Sequence, residues 1–379
     1  MTSANGIKSA FLIQAINALI MGVVFIVLPL LMMERGISIE SMGLIFAALP
    51  LVTQSTRLLF GIVSDYMGRK RFYWLNAFMN MSFLAIYYLA ITPFGFLFGK
   101  ICEGIRSASL WSVNRAYFID HSKEKEEEML VKMRGVNSVF EALGTIIAGF
   151  LVAMILYEKV LLFLIILSLL IFPNVKMLKD KFRGKIKPMI IFKALDFRHK
   201  GKKFKNFILI FFLIGLSWGL ISGYILPLFL KTRGVTIGNI GVLLGVWTFL
   251  NGIFAYIFHS IWSGKKKILV GGILSSISIS VLSFCDPVLL PLLIFCLGVA
   301  NGIANAGYET IFVSVADYNS LGRDIGILMI GTHLGMSITQ ALSGFVITSL
   351  GFSILFIMSA VLYLLFSVTA FYNMNGQEI

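Results

Sequence analysis

Leu28-Pro29-Leu30-Leu31, followed by Arg35-Gly36-Ile37-Ser38-Ile39, returns later as Leu226-Pro227-Leu228-Phe229, followed by Arg233-Gly234-Val235-Thr236-Ile237. Position 28 has become position 226, an offset of 198. The same offset carries Gly43 onto Gly241 and Glu103-Gly104-Ile105 onto Asn301-Gly302-Ile303. Four separate blocks at one offset mark an internal repeat. Further along the offset falls to 191, so that Gly135 meets Gly326 and Leu143-Gly144 meets Leu334-Gly335. The second copy has a shorter loop at that point.

What surrounds these blocks is apolar. Of 379 residues, 58% are hydrophobic and 13% charged, against about 45–50% and about 25% in soluble domains. A soluble fold of this size could not hide so much apolar surface, whereas a bilayer can. Each span needs about 20 apolar residues. Helices are expected near 8–32, 41–63, 73–92, 95–119, 135–157 and 159–174, then 207–230, 239–262, 268–285, 288–316, 325–349 and 352–373. The sixth is expected to end at Pro173, because proline disfavours continuation. This gives an N-terminal six-helix bundle over 1–174, a basic linker over 175–206 and a C-terminal six-helix bundle over 207–379. Little is left for a soluble domain. The run from Phe11 to Met33 is too long for a cleavable signal core and should remain as the first span.

The net charge of +14 belongs to the loops rather than to nucleic-acid binding. Arg69, Lys70 and Arg71 follow span two, Lys132 and Arg134 precede span five, twelve basic residues crowd the linker, and Lys265 to Lys267 follow span eight. The alternate loops carry Arg35, Lys159, Lys231 and Arg233. The positive-inside rule puts both termini in the cytoplasm, and an even number of spans requires the same. The mixed-sign run Lys123 to Glu128 is expected to be a solvated loop. The linker could also lie against anionic lipid. Cys102, Cys285 and Cys296 show no metal-type spacing, and no structural disulfide is expected.

Two like-oriented six-span copies imply bundles related by a pseudo-two-fold axis along the membrane normal. Transporters built this way bind substrate near the midplane and rock the halves to alternate access. The stretch Gly61-Ile62-Val63-Ser64-Asp65-Tyr66-Met67-Gly68-Arg69-Lys70-Arg71 resembles the G-x-x-x-D-x-x-G-R-K/R signature of the major facilitator superfamily, at the same place between spans two and three. With the twelve-span repeat, the resemblance covers nearly the whole chain. It implies a latch. Asp65 would face the positive N-terminal end of the eleventh helix, near Gly322 to Gly326, and Arg69 would pair with Asp120 at the close of span four. Gly61 would let a neighbouring helix come close, and Gly68 would permit the tight turn. In the second copy, Ser263 stands where Asp65 does and Lys267 where Arg69 does, with Asp317 available to the lysines. Those lysines can equally be a bare orientation signal. The proline-glycine motif of span five, seen in many drug–proton antiporters of the family, is missing: Gly144-Thr145-Ile146-Ile147-Ala148-Gly149 has no proline.

Ionisable groups at depth in a span are costly and mark function by default. Lys100-x-x-Glu103-Gly104-x-x-x-Ala108 in span four resembles the family's R-x-x-Q-G-x-x-x-A, with lysine for arginine and glutamate for glutamine. Arg106 lies one turn from Glu103, so the two either serve the substrate path or form a structural ion pair. The repeat maps Glu103, Ser107 and Trp111 onto Asn301, Asn305 and Glu309. Each trio runs i, i+4, i+8 and forms one stripe, expected to face the shared axis. Close helix packing is the alternative for Asn301 and Asn305. Gln14 and Asn17 in span one either join the path or hydrogen-bond between helices. Trp218, Tyr224 and Trp247 either line the path or pack. Glu141 is a second proton candidate, and His333 a titratable or a packing one. Arg57 is expected to support the latch.

The function expected is a secondary transporter of a small organic solute, coupled to protons. Glu103, Glu141 and Glu309 could each hold a proton at depth. Arg106 beside Glu103 opposes this unless the pairing switches. No G-x-x-x-x-G-K-[ST] loop offers ATP. Cations in the first half (Arg57, Lys100, Arg106) lean toward an anionic or zwitterionic solute. Alternatives are an uncoupled facilitator, a membrane-embedded enzyme or a transport-dead sensor. His121, His199, His259 and His333 are scattered, which speaks against enzyme chemistry. The expected setting is a monomer in the cell membrane, needing a lipid bilayer, a small-molecule substrate and protons, with no cofactor and no metal.

Overall fold

The repeat block is legible in its backbone. In a computed structural model describing residues 3–121, 126–179, 200–317 and 321–374, Gly36 and Gly234 both turn the chain with positive φ, 69° and 78°. A residue without Cβ takes that conformation at little cost. Ser38 and Thr236 then cap the next helix: their hydroxyls accept from the backbone N–H of Ser41 and Asn239, satisfying donors the helix start leaves free. Arg35 donates to the carbonyls of Tyr87, Tyr88 and Ala90, and Arg233 to that of Cys285. Positions 87 and 285 stand at the same offset of 198. One sequence block thus builds one turn twice and ties it to the end of span three or nine.

Twelve spans follow. The first six are Ser3–Glu34, Ile39–Met67, Lys70–Leu89, Pro93–His121, Glu126–Met154, and the pair Tyr157–Leu169 and Ile171–Met177. The next six are the pair Lys202–Gly219 and Ile225–Thr232, then Ile237–Ile257, Gly264–Leu282, Leu290–Val315, and one continuous run, Leu321–Asn373, that holds the last two. That run is broken at Gly351, with φ 82° and ψ 171°, a region essentially confined to glycine. Among the described residues, seven helices are long and apolar enough to cross a membrane by composition alone, one of them 51 residues long and counting as two spans. Spans three, four, seven and nine fall short. They are short, broken or polar, as helices buried within a bundle can be.

Three details differ from expectation. Span six does not stop at Pro173. It breaks at Leu170 and runs on to Met177, with Pro173 in the first turn of the second piece, where its missing N–H costs nothing. Span seven is interrupted after Gly219, and Gly223, with φ 70°, lets it restart. Span five begins at Glu126, so Glu126 to Glu128 are helical rather than loop; 122–125 lie outside the described residues.

The two halves meet along two seams, and the seams obey the repeat. A Cβ on Gly43 of span two would stand 2.7 Å from the Gln340 carbonyl of span eleven. A Cβ on Gly241 of span eight would stand 2.6 Å from Gly149 Cα of span five. Gly43 maps to Gly241 by the first offset, and Gly149 to Gln340 by the second. Exchanging the halves therefore exchanges the contacts, as a pseudo-two-fold axis requires. Lower down, Ser337 donates to the Ala47 carbonyl (2.8 Å), and the mapped pair, Ile146 and Gly245, is also in close contact. Aromatic pairs cross the halves as well: Phe25 with Trp247 between spans one and eight, and Phe46 with Tyr224 between spans two and seven.

Candidate functional site

Span four carries the buried charge. Glu103 lies ten residues in from Pro93, about 15 Å at 1.5 Å per residue. It is 1% exposed. Its Oε2 accepts from Lys100 Nζ at 2.8 Å and from the Tyr87 hydroxyl at 2.6 Å. The Lys100 ammonium also sits 4.1 Å from the centre of the Phe46 ring, whose π face attracts a cation. The structural Glu103–Arg106 ion pair, one of the two readings open from the sequence, is not formed. With Lys100 on its own face at i−3, Glu103 has a closer cation, and Arg106 turns elsewhere. Arg106 Nη1 donates to Asn17 Oδ1 at 2.9 Å, and its backbone carbonyl accepts from Asn76 Nδ2 at 3.1 Å. Asn80 donates to the same Asn17 oxygen at 2.9 Å. Glu103 is thus tied to span three and the Arg106 side chain to span one, within the first bundle.

A second network runs beside it. The Tyr73 hydroxyl donates to Asn114 Oδ1, Asn114 Nδ2 to Gln14 Oε1, Gln14 Nε2 to Asn137 Oδ1, and Asn137 Nδ2 to Glu141 Oε2. It ties spans three, four, one and five together. Gln14 and Asn17, named from the sequence, are the hubs of these two networks. Asn76, Asn80, Tyr87, Asn114 and Asn137 were missed. Asn76 and Asn80 had a readable signal: two amides one turn apart in an apolar span, presenting one polar face.

The second bundle repeats the layout with neutral groups. Asn301 Oδ1 accepts from Ser275 at 2.9 Å, Asn305 Nδ2 donates to Asn251 at 2.8 Å, and Tyr308 shares a proton bond with Thr332 at 2.7 Å. Close packing coexists with these bonds. A Cβ on Gly302 would press on span eight, and one on Gly104 on span two. Glu309 is not an isolated group at depth. It forms an ion pair with Arg134 of span five, joining the halves toward the basic-loop face. His333 Nδ1 meets the Met329 carbonyl of its own helix at 3.0 Å. Trp111 is 42% exposed.

At the motif after span two, Arg69 and Asp120 stand 3.0 Å apart, Lys70 donates to the Lys176 carbonyl, and Gly68 turns the chain with φ 88°. The Asp65 side chain lies outside the described residues. Among the described residues nothing stands within 4 Å of a Cβ on Gly61, so they do not make the close approach expected there. Span two nears span eleven one to two turns earlier, where Gln54 donates to the Gly326 carbonyl at 2.8 Å and Leu58 meets Gly326. Arg57 reaches the Met329 sulfur rather than the motif. The N-terminal turn of span eleven holds a buried carboxylate of its own, Asp324, ion-paired to Lys200 at 2.6 Å. Lys267 goes to the His259 carbonyl rather than to Asp317.

Residues 10–205 and 207–377 each match the sequence model described as Major Facilitator Superfamily. The chain belongs to this superfamily. Its fold is also that of solved superfamily transporters. The nucleoside transporter NupG superposes with a TM-score of 0.77 at 14% identity, over 99% of this chain and 100% of that one. A single-site mutant of NupG gives 0.81 at 14% identity, over 98% and 100%. The human organic anion transporter MFSD10 (TETRAN) gives 0.71 at 15% identity, over 97% and 99%. Among curated proteins, none matches the sequence. The chain is thus a multi-pass membrane transporter of the superfamily, and neither the family nor its structural neighbours point to an enzyme.

Proposed function

We propose that this transporter moves a small organic solute by alternating access, driven by protons. One observation carries the reading: the inter-half contacts come as symmetry-related pairs, so a rigid rocking of one bundle against the other opens one face while closing the opposite one. Buried carboxylates in the membrane support a proton role, and the absence of a nucleotide loop in the sequence fits secondary transport. The structural neighbours NupG and MFSD10 are a nucleoside transporter and an organic anion transporter, so polar organic solutes of that size are the first to try. The bundles span 1–174 and 207–379, joined by the basic linker 175–206, in a monomer in the cell membrane with both termini cytoplasmic. Asp65, Gly68, Arg69, Lys70 and Asp120 latch the basic-loop face, with Gly61 beside them. Asn301, Asn305 and Glu309 contribute to the path from the second bundle, alongside His333.

The test is a stabilisation screen on the purified chain with nucleosides and organic anions, followed by flux of the best hit into vesicles holding a pH dye. Solute uptake that acidifies or alkalinises the lumen in step supports the proposal. Solute flux without proton movement leaves a facilitator. A folded protein that moves no solute under any gradient ends the transport reading.

A further inference from the structure

Tyr73, Asn114, Gln14 and Asn137 all donate in one direction, toward Glu141. Each amide accepts from the residue behind it and donates to the residue ahead, and the last acceptor is a carboxylate oxygen. Aligned bonds of this kind polarise one another, and a negative charge at the end is what selects the alignment. The run starts three residues into span three, about 5 Å from its basic-loop end, and finishes thirteen residues before the far end of span five, about 20 Å deep. Glu141 points away from Leu143, Ile147 and Phe150, the exposed apolar side of its helix, and so faces the protein interior.

We propose that Glu141 is the residue that binds the coupling proton, and that Asn137, Gln14, Asn114 and Tyr73 are positioning residues that relay its charge state to spans one, four and three. The proposal rests on proton-coupled transport. Among the other buried or half-buried carboxylates in the spans, Glu103 is paired with Lys100, Glu309 with Arg134, Asp120 with Arg69 and Asp324 with Lys200. Among the described residues no cation stands within ion-pair distance of Glu141, so adding a proton there breaks no ion pair. The charged and titratable groups on the helices packed against span five are Lys100, Glu103, Arg106, Arg115, Asp120 and His121 of span four, Glu158, Lys159 and Lys176 of span six, and Lys8 and Glu34 near the ends of span one. Span eight brings the phenol of Tyr256 at its basic-loop end.

The step is simple in its balance. A proton from one aqueous face adds to a carboxylate oxygen of Glu141, one negative charge disappears, and the same proton leaves to the other face. Protonated at Oε2, Glu141 presents an O–H where Asn137 had met an acceptor, and keeps its other oxygen as a carbonyl. Asn137 then turns its carbonyl toward it, and the alignment behind it loses its cause. A metal cation would not serve, because it needs converging oxygens and Asn137 presents N–H.

Infrared difference spectra of the reconstituted full chain, taken between alkaline and acidic buffer, test this without a solute. A protonated-carboxyl stretch should appear in the wild type and in Glu103→Gln and be lost in Glu141→Gln. Asn137→Leu and Gln14→Leu should move its frequency, because that frequency reports the hydrogen bond, while Asn305→Leu should leave it in place. Melting curves check that each variant is folded. A band that survives Glu141→Gln, or that vanishes with Glu103→Gln alone, overturns the proposal. So does a band indifferent to Asn137 and Gln14, for the relay. Vesicle proton flux is read separately: its absence in the wild type sinks coupling even when the band belongs to Glu141.

Discussion

The two bundles share a backbone plan and differ in what they bury. The first holds Lys100, Glu103, Arg106 and Glu141. The repeat puts Gly298, Asn301, Ala304 and Thr332 at the same places, so the second holds no charge there. Amides and hydroxyls do in the second half what ion pairs do in the first. Helix crossings are kept in both: a Cβ on Gly144 would strike span one, and one on Gly335 would strike span seven. The lesson is that the fold needs the glycines, while the charges are an addition to one half. Buried ion pairs are weak evidence for stability, so the Lys100–Glu103 pair deep in span four, where the second bundle has Gly298 and Asn301, speaks for function.

The sharpest way to break this contrast is to remove one charge. Lys100→Ala strands Glu103 in the bilayer and should destabilise the protein by about 3–5 kcal/mol, read by thermal unfolding in detergent. Adding Glu103→Gln should recover most of the loss, since both charges are then gone. If Lys100→Ala alone costs nothing, the pair is not buried as described. Next come the seams. Gly149→Val and Gly241→Val force side chains against backbone and should each cost about 1–3 kcal/mol. Near-equal losses follow from their sharing one contact, whereas a large inequality would argue against that crossing.

A smaller effect is expected in the neutral half. Asn301→Ala should cost about 1 kcal/mol, well below Lys100→Ala at a comparable depth. Equal losses would erase the contrast between bundles. Smallest is Arg134→Ala. Arg134 is half exposed, so its pair with Glu309 is worth at most about 1 kcal/mol. The change should leave melting nearly untouched and shift the balance of open states by less than about fivefold. Accessibility of a cysteine placed near position 134 measures that balance.

The twelve spans and their pairing into halves were readable because the repeat is strict where a backbone demands it: a left-handed glycine, a hydroxyl cap, a tying arginine. Partners of charges were not. Glu103 had cations at i−3 and i+3, Lys100 and Arg106, and spacing alone does not choose between them. What decided was Asn17, Asn76 and Asn80 from other spans, which gave Arg106 a home. Gly61 misled for a related reason. A motif fixes residue types but not the depth at which helices touch, and the touch falls at Gln54 and Leu58 instead. Pro173 was read as a stop because the sequence does not reveal that the helix restarts just before it.

Gly351 joins spans eleven and twelve with no intervening residues to spare. A hairpin so tight has no slack, so the two arms tilt as a single lever. On that side of the membrane the corner offers no tether for a tag and no strand for a protease to grip. Reporters of motion there would have to be placed on the helices themselves.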